Sequence, residues 1–200
     1  MAQVKLVFAA IAAFALFLAA PAGAAGLKPA QGDMVIGRAD APVTVIEYAS
    51  MTCPHCATFH NKTFKALKEK YIDTGQVRMV FREFPLDGVA LRASMLARCA
   101  GEDRFFGMID VLFRQQAKWT RSNDPVGALV RLARMGGLSQ GDIEACLADE
   151  ALMDSILTTR LEGHNQYKVE STPSFVIEGK TYAGGMTMDD WDAILAKYLN

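Results

Sequence analysis

The sequence predicts an α/β fold in which a strand–helix–strand unit and a final strand–strand–helix unit flank an all-helical segment of about eighty residues. Three observations lead to this prediction. The run 43–48 is β-branched and nearly all apolar, which is typical of a strand buried on both faces. After Pro54 the apolar residues recur at helical spacing, and 76–84 alternates between apolar and polar residues as a strand does. From about residue 88 to about residue 168 the spacing is helical throughout.

The first unit defines the centre of the predicted sheet. Two strands joined through one helix run parallel, so we expect 43–48 and 76–84 to pair in parallel. Gly75 ends the helical region, and a short run, Met34–Ile36, predicts an additional edge strand. The buried stripe of the helix is expected to contain Ala57, Phe64, Leu67 and Tyr71.

The remaining elements follow from the same periodicities. Helices of the insert are predicted near Val89–Ala100, Arg104–Trp119, Pro125–Met135, Gln140–Ala148 and Leu152–Tyr167. Two strands are predicted at Ser174–Ile177 and Thr181–Ala183. Thr187 and Asp190 have the spacing of a capping box and open a final helix. That helix is expected to bury Trp191, Ile194, Leu195 and Tyr198.

Composition limits the possible functions. Of the 200 residues, 51% are hydrophobic and 22% charged, which is enough apolar material for a packed core. The net charge of −1 provides no basic excess to neutralise phosphates, so we expect no nucleic-acid partner. Four cysteines are too few for a small disulfide scaffold, but enough for one redox pair and one structural bridge.

The N-terminus has the pattern of a secretory signal peptide. Lys5 precedes the uninterrupted apolar run 6–20, and the small residues 22–24 offer a cleavage site. We expect cleavage after Ala24, which leaves 25–200 as one domain with its helical insert at about 88–168. The alternative is an uncleaved membrane anchor, for which the run is somewhat short. A secreted product would reach an oxidising compartment, where disulfides persist.

The motif Cys53-Pro54-His55-Cys56 lies where the first strand gives way to the helix. Pro54 suits the first helical position because its missing N–H has no partner there in any case. Cys53 would then be the N-cap residue, facing unpaired backbone N–H groups that favour a thiolate. Cys56 lies one turn away and can close a disulfide, and His55 adds a group that can stabilise the Cys53 thiolate. Stabilising the reduced thiolate makes the disulfide a stronger oxidant.

Three other chemistries compete for these residues. A c-type haem site requires His directly after the second cysteine, where this chain has Ala57. A zinc site could use Cys53, Cys56 and His60, but there is no second Cys-x-x-Cys to complete it. A purely structural bridge over so short a loop would be strained and would stabilise little. The strand-to-helix context favours redox chemistry, which requires no metal or other cofactor.

The order of elements and motifs along the chain is a strand, Cys-Pro-His-Cys, a helix, a helical insert, Thr172-Pro173, a hairpin and a final helix. This order resembles the DsbA family of thioredoxin-fold disulfide oxidoreductases. The resemblance covers nearly all of the chain from Val35 to the C-terminus. It implies a thioredoxin fold and a cis Thr172–Pro173 bond opposite the active-site disulfide, presenting the backbone of Thr172 to an extended substrate segment. Family members often carry Val before the proline, so threonine resembles a different subgroup.

The resemblance also bears on Glu47, six residues before Cys53. It resembles a buried acid of the family, which could accept a proton from Cys56. A solvated strand end is the alternative, because buried unpaired carboxylates are rare.

The other two cysteines, Cys99 and Cys146, fall in predicted helices of the insert. Buried free thiols are one possibility, but an oxidising compartment and an even cysteine count favour a structural disulfide. His60 and His164 are predicted to be surface residues of helices.

These observations predict a monomeric thiol:disulfide oxidoreductase of the bacterial periplasm that donates the Cys53–Cys56 disulfide to unfolded or reduced secreted proteins. The resemblance implies a quinone-linked membrane partner of the DsbB type as its reoxidant. Two alternatives remain: a disulfide reductase or isomerase of the same fold, and a peptide-binding chaperone with incidental cysteines. Isomerases of this class usually add a dimerisation module, for which the chain has no spare residues.

Overall fold

A computed structural model describes residues 27, 29–30 and 32–199; the predicted signal peptide lies outside the described residues. The chain forms a mixed sheet in the order β1-β3-β2-β4-β5, with only β2 and β3 parallel. This arrangement confirms the predicted α/β fold and its parallel central pair. The strands are β1 Met34–Ile36, β2 Val43–Ala49, β3 Val77–Glu83, β4 Ser174–Ile177 and β5 Lys180–Ala183.

The helices connect these strands in the predicted order. A continuous helical stretch, α1 (54–72), joins β2 to β3, and the insert lies between β3 and β4. The insert consists of α2 Gly88–Cys99, α3 Glu102–Arg114, α4 Gln116–Thr120, α5 Pro125–Met135, α6 Gln140–Leu147 and α7 Glu150–Tyr167. The last helix is α8, Met188–Leu195, and it begins with the Thr187–Asp190 capping box. None of the helices in the described part of the chain is long and apolar enough to cross a membrane.

Helices cover both faces of the sheet. On one face α1 and α8 pack against β2 and β4, with Phe59 and Trp191 buried between them. On the other face α7 passes over β2, and Gly163 allows this approach because a Cβ there would lie 2.5 Å from the Tyr48 ring. With cover on both sides, every residue of β2 is buried.

The insert has its own hydrophobic core, which continues to the end of β2. Phe105, Leu112, Trp119 and Leu129 are buried in this core, together with both Cys53 and Cys56. The sequence between β2 and α1 is therefore enclosed between the sheet and the insert.

Two helix predictions need correction. The single helix predicted at Arg104–Trp119 is wrong: α3 ends at Arg114, and α4 begins at Gln116, with non-helical backbone dihedrals at Gln115 between them (φ −103°, ψ 7°). The break at Gln115 involves neither glycine nor proline, so the residue pattern gave no sign of it. Helix α1 is also irregular, because π-helical turns at Phe59–Thr63 and Lys68–Ile72 interrupt its α-helical spacing.

Candidate active site

The first cysteine of the motif occupies the N-cap of α1. Cys53 has extended backbone dihedrals (φ −73°, ψ 119°), and Pro54 takes the first helical position. Both cysteines are reduced, and Cys53 retains 6% exposure whereas Cys56 is completely buried. An incoming thiol therefore has access to Cys53 and not to Cys56.

The surroundings of Cys53 favour its thiolate. Its pKa is lowered to about 5, and the largest cause is a hydrogen bond from the Cys56 thiol. The Thr172 side chain and the backbone N–H groups of Cys56 and His55 also lower the pKa, while burial opposes them. Unpaired N–H groups at a helix N-terminus act in this way on any anion placed there.

Cys56 has the opposite character. Burial raises the pKa of its thiol far above the usual range, and the neighbouring Cys53 and the charge of Glu47 raise it further. In the reduced protein at neutral pH, Cys53 is thus a thiolate and Cys56 its hydrogen-bond donor.

The loop before β4 faces Cys53 from across the site. The Thr172–Pro173 bond is cis, and the carbonyl oxygen of Thr172 accepts a hydrogen bond from the Cys53 Sγ at 3.1 Å. The Thr172 hydroxyl is buried and forms no well-aligned hydrogen bond with a described residue while Cys53 is a thiol. It can therefore turn to the thiolate once Cys53 loses its proton.

The ring of His55 is exposed, and its backbone N–H is the part that acts on Cys53. A role for the imidazole in stabilising the thiolate stays a prediction.

A histidine and a carboxylate form a buried pair beneath the cysteines. Glu47, in the middle of β2, is 1% exposed, so the alternative of a solvated strand end is wrong. His60 is 9% exposed, and its Nε2 lies 2.9 and 3.1 Å from the two carboxylate oxygens of Glu47. The prediction that His60 is a surface residue is therefore also wrong. It follows Cys56 by four residues, a spacing that places both on one helix face and could have revealed it.

A residue of the insert holds the turn that carries Cys53. The buried Gln116 donates from its amide nitrogen to the carbonyl oxygens of Met51 (2.8 Å) and Cys53 (2.9 Å). Nothing in the local sequence indicates this contact, since Gln116 lies 63 residues beyond Cys53.

The second pair of cysteines lies in the helical insert. Cys99 at the end of α2 and Cys146 in α6 form a disulfide with a Cα–Cα distance of 6.1 Å. The described residues contain no cluster of three or more His, Cys, Asp or Glu side chains arranged to hold a metal ion. A thiol with a lowered pKa at a helix N-cap, one turn from a second thiol, is arranged for exchange between thiols and disulfides.

Comparison with known proteins gives the family. A family model described as thioredoxin matches residues 29–197. The crystal structure of alpha-DsbA1 from Wolbachia pipientis superposes with a TM-score of 0.81 at 31% identity, covering 86% of this chain and 94% of the other. The chain belongs to the DsbA family of thioredoxin-fold proteins.

Other relatives of this DsbA-family chain carry related names. A Rickettsia bellii protein named as a protein-disulfide oxidoreductase is 37% identical over 150 residues. The match covers 74% of this chain but only 58% of that longer relative. A structure titled protein-disulfide isomerase, from Novosphingobium aromaticivorans, has a TM-score of 0.73 at 25% identity, covering 84% of this chain and 98% of the other.

Proposed function

We propose that this DsbA-family protein is a thiol:disulfide oxidoreductase that donates the Cys53–Cys56 disulfide to reduced proteins in the bacterial periplasm. The observation that carries the proposal is the asymmetry of the pair. The pKa of Cys53 is lowered to about 5 and that of Cys56 is raised, so the reduced state contains a stabilised thiolate. A disulfide whose reduced form is stabilised in this way is a good oxidant.

The geometry supports a two-step exchange. A substrate thiolate attacks the Cys53 sulfur, which is the more exposed of the two, and the Cys56 sulfur leaves with the electron pair of the broken bond. A second substrate thiolate then attacks the substrate sulfur of the mixed disulfide. Cys53 leaves as its thiolate, the substrate gains a disulfide, and the Cys53–Cys56 pair is left reduced.

The cis-proline loop provides the place for the substrate backbone. The carbonyl oxygen of Thr172 is hydrogen-bonded to the Cys53 Sγ. A substrate segment that paired with this loop as an added strand would therefore bring its own cysteine beside the Cys53 sulfur. This contact depends on backbone atoms, and it suits unfolded secreted proteins of many sequences.

Repeated turnover requires an electron acceptor, because each cycle leaves the protein with two more electrons. We propose a quinone-linked membrane protein of the DsbB type as this acceptor, and a monomer as the working form. The signal-peptide pattern of 1–24 supports the periplasmic location.

Equilibration of the purified protein, without residues 1–24, with glutathione buffers tests the proposal. We expect the Cys53–Cys56 disulfide to be reduced at glutathione ratios that leave ordinary structural disulfides intact. An equilibrium as reducing as that of thioredoxin would instead indicate a reductase. A Cys53→Ser/Cys56→Ser variant that still assists refolding of a reduced protein would indicate a chaperone.

A further inference from the structure

Exposed leucines gather beside the loop that faces Cys53. Among the described residues five large apolar side chains are exposed, and three of them lie on α7 and on the connection between β3 and α2. Leu86 and Leu161 line one groove between these two elements, and Leu86 and Leu157 line its continuation. Single exposed apolar residues are common on proteins, but a group of them in one groove marks a binding surface.

We call this feature the leucine groove. Its volume is about 400 Å³, which is the size of sites that bind small ligands. It lies on the face of the sheet that α7 covers, because Phe84 and Val169 pack there with Tyr48, over which Gly163 of α7 passes. Helices α1 and α8 cover the opposite face. The apolar lining of the groove consists of Phe84, Leu86, Leu161 and Val169, and its polar lining of Arg160, His164 and Glu170.

Both walls of the leucine groove continue into the active site. On one wall the Leu86 N–H donates to the Ser50 hydroxyl at 3.4 Å, and the Ser50 carbonyl oxygen accepts from the Cys53 N–H at 3.1 Å. On the other wall Glu170 precedes Thr172 by two residues, and the Thr172 carbonyl oxygen accepts from the Cys53 Sγ. The groove therefore adjoins the place that a substrate cysteine must reach.

The chain before Thr172 can pair with a substrate strand. Glu170 is exposed, and its backbone N–H and C=O form no hydrogen bond with another described residue. Antiparallel pairing is the more stable kind, and in it the residues that follow the substrate cysteine run from Thr172 back towards Val169. Side chains alternate between the two faces of a strand. The second residue after the cysteine therefore lies opposite Glu170 and on the same face as the cysteine.

We propose that the leucine groove binds large apolar side chains at the second and fourth positions after the reacting cysteine of the substrate, an inference that rests on the proposed function. Apolar residues at alternate positions are the pattern of a strand that will be buried on one face. The preferred substrates are thus reduced chains in which a cysteine begins such a segment. The groove stabilises the mixed disulfide with Cys53 by burying those side chains, and it releases them when the substrate folds.

Competition between two short peptides for Cys53 tests this inference. Both contain one cysteine and two leucines among serines and glycines. In one peptide the leucines are the second and fourth residues after the cysteine, and in the other they are the second and fourth residues before it. The Cys56→Ser protein, which cannot displace a bound peptide, is equilibrated with both in a glutathione buffer, and mass spectrometry measures the two Cys53 adducts. We expect the peptide with leucines after the cysteine to be favoured roughly tenfold.

Two variants of this protein locate the preference. Leu86→Gln/Leu161→Gln removes two apolar side chains from the groove, and we expect the preference to disappear. Both residues are exposed, so the fold should tolerate the change. Met135→Gln is the matched control, because Met135 is 78% exposed at the end of α5 and does not line the groove. Its preference should equal that of the protein without it.

The outcomes separate this inference from the proposed function. Equal binding of the two peptides, a preference for leucines before the cysteine, or a preference that survives Leu86→Gln/Leu161→Gln would overturn the role of the groove and leave disulfide donation intact. If sedimentation shows a dimer that Leu86→Gln/Leu161→Gln makes monomeric, a second copy of the chain occupies the groove, and the inference is again overturned. Failure of Cys53 to form a mixed disulfide with either peptide would overturn the proposed function itself.

Discussion

At the scale of single residues, the reactivity of Cys53 combines local and distant contributions. The backbone N–H groups of His55 and Cys56 follow from the position of Cys53 at a helix N-terminus, which the motif and Pro54 predict. The Thr172 side chain, which also lowers the pKa of Cys53, belongs to a residue 119 positions away, and without the family resemblance nothing in the sequence brings the two together. His60 was missed because a lone histidine among lysines is typical of a solvated helix face.

His55 gives the first prediction. Its ring is exposed, so solvent weakens its interaction with the sulfur, but an imidazole N–H beside Cys53 can still favour the thiolate. We expect His55→Ala to raise the pKa of Cys53 and lower the reduction potential, measured by thiolate absorbance and glutathione equilibrium. His164→Ala, which removes an exposed histidine of α7, is the control. If both properties are unchanged in His55→Ala, the backbone, Cys56 and Thr172 account for the reactivity of Cys53 without the ring.

At the scale of elements, the sequence predicts regular structure well and irregular structure poorly. Val43–Ala49 is apolar enough to be identified as a buried strand, and α5 begins and ends at the predicted residues, Pro125 and Met135. The π-helical turns of α1 and the break at Gln115 could not be predicted in this way, because tertiary packing and not residue preference determines them. One of those turns contains His60, and the break is followed directly by Gln116. The errors therefore fall on residues that build the site.

Gln116 gives a prediction about how the insert supports the motif. Gln116→Ala leaves the carbonyl groups of Met51 and Cys53 without this donor, and we expect a loss of roughly 1–3 kcal/mol in the free energy of unfolding. Chemical denaturation of the reduced protein would measure it. Gln140→Ala is a matched control, since Gln140 is exposed and its side chain bonds Glu144 in its own helix, a contact worth about 0.2–0.5 kcal/mol. Equal losses in the two variants would contradict a supporting role for Gln116.

The disulfide between α2 and α6 gives a second prediction at this scale. Cys99 and Cys146 are 47 residues apart, so their bridge restricts a long loop of the unfolded chain. We expect Cys99→Ser/Cys146→Ser to lose roughly 2–5 kcal/mol of stability and still oxidise a model dithiol at the natural rate. Thermal melting and a dithiol-oxidation assay would show the two effects separately. A variant that melts normally but oxidises slowly would assign the bridge a part in turnover.

At the scale of the whole molecule, the site forms where the two units of the fold and the insert meet. The strand–helix–strand unit supplies Glu47, His60 and both cysteines, the final unit supplies Thr172, and the insert supplies Gln116 and the ring that covers His60. Reduction and folding are coupled through this site, because the thiolate is stabilised only in the folded, reduced protein. Redox state should therefore change the stability of the entire domain.

The last prediction is the sign of that change and its dependence on pH. Folding lowers the pKa of Cys53 from an ordinary value near 9 to about 5, so between these values the unfolded chain binds more protons than the folded one. The stability of the reduced protein must then rise with pH from about 5 to about 9, contributing about 3 kcal/mol at pH 7. The raised pKa of Cys56 has the opposite effect on stability. Above about pH 9 the unfolded chain loses the Cys56 proton while the folded protein keeps it, so stability begins to fall there.

The closed disulfide has no such thiolate. Because its loop contains only four residues, the restriction it places on the unfolded chain stabilises the folded protein by only about 2 kcal/mol. We therefore expect the reduced protein to be the more stable form at pH 8 and to lose that advantage as the pH falls toward 5. Denaturant midpoints of both forms across this range would measure it, with Cys99–Cys146 kept oxidised throughout. A higher midpoint for the oxidised form at pH 8 would contradict the stabilised thiolate and favour a reductase. The interactions that stabilise the Cys53 thiolate make the disulfide a stronger oxidant, and the same interactions stabilise the folded reduced protein.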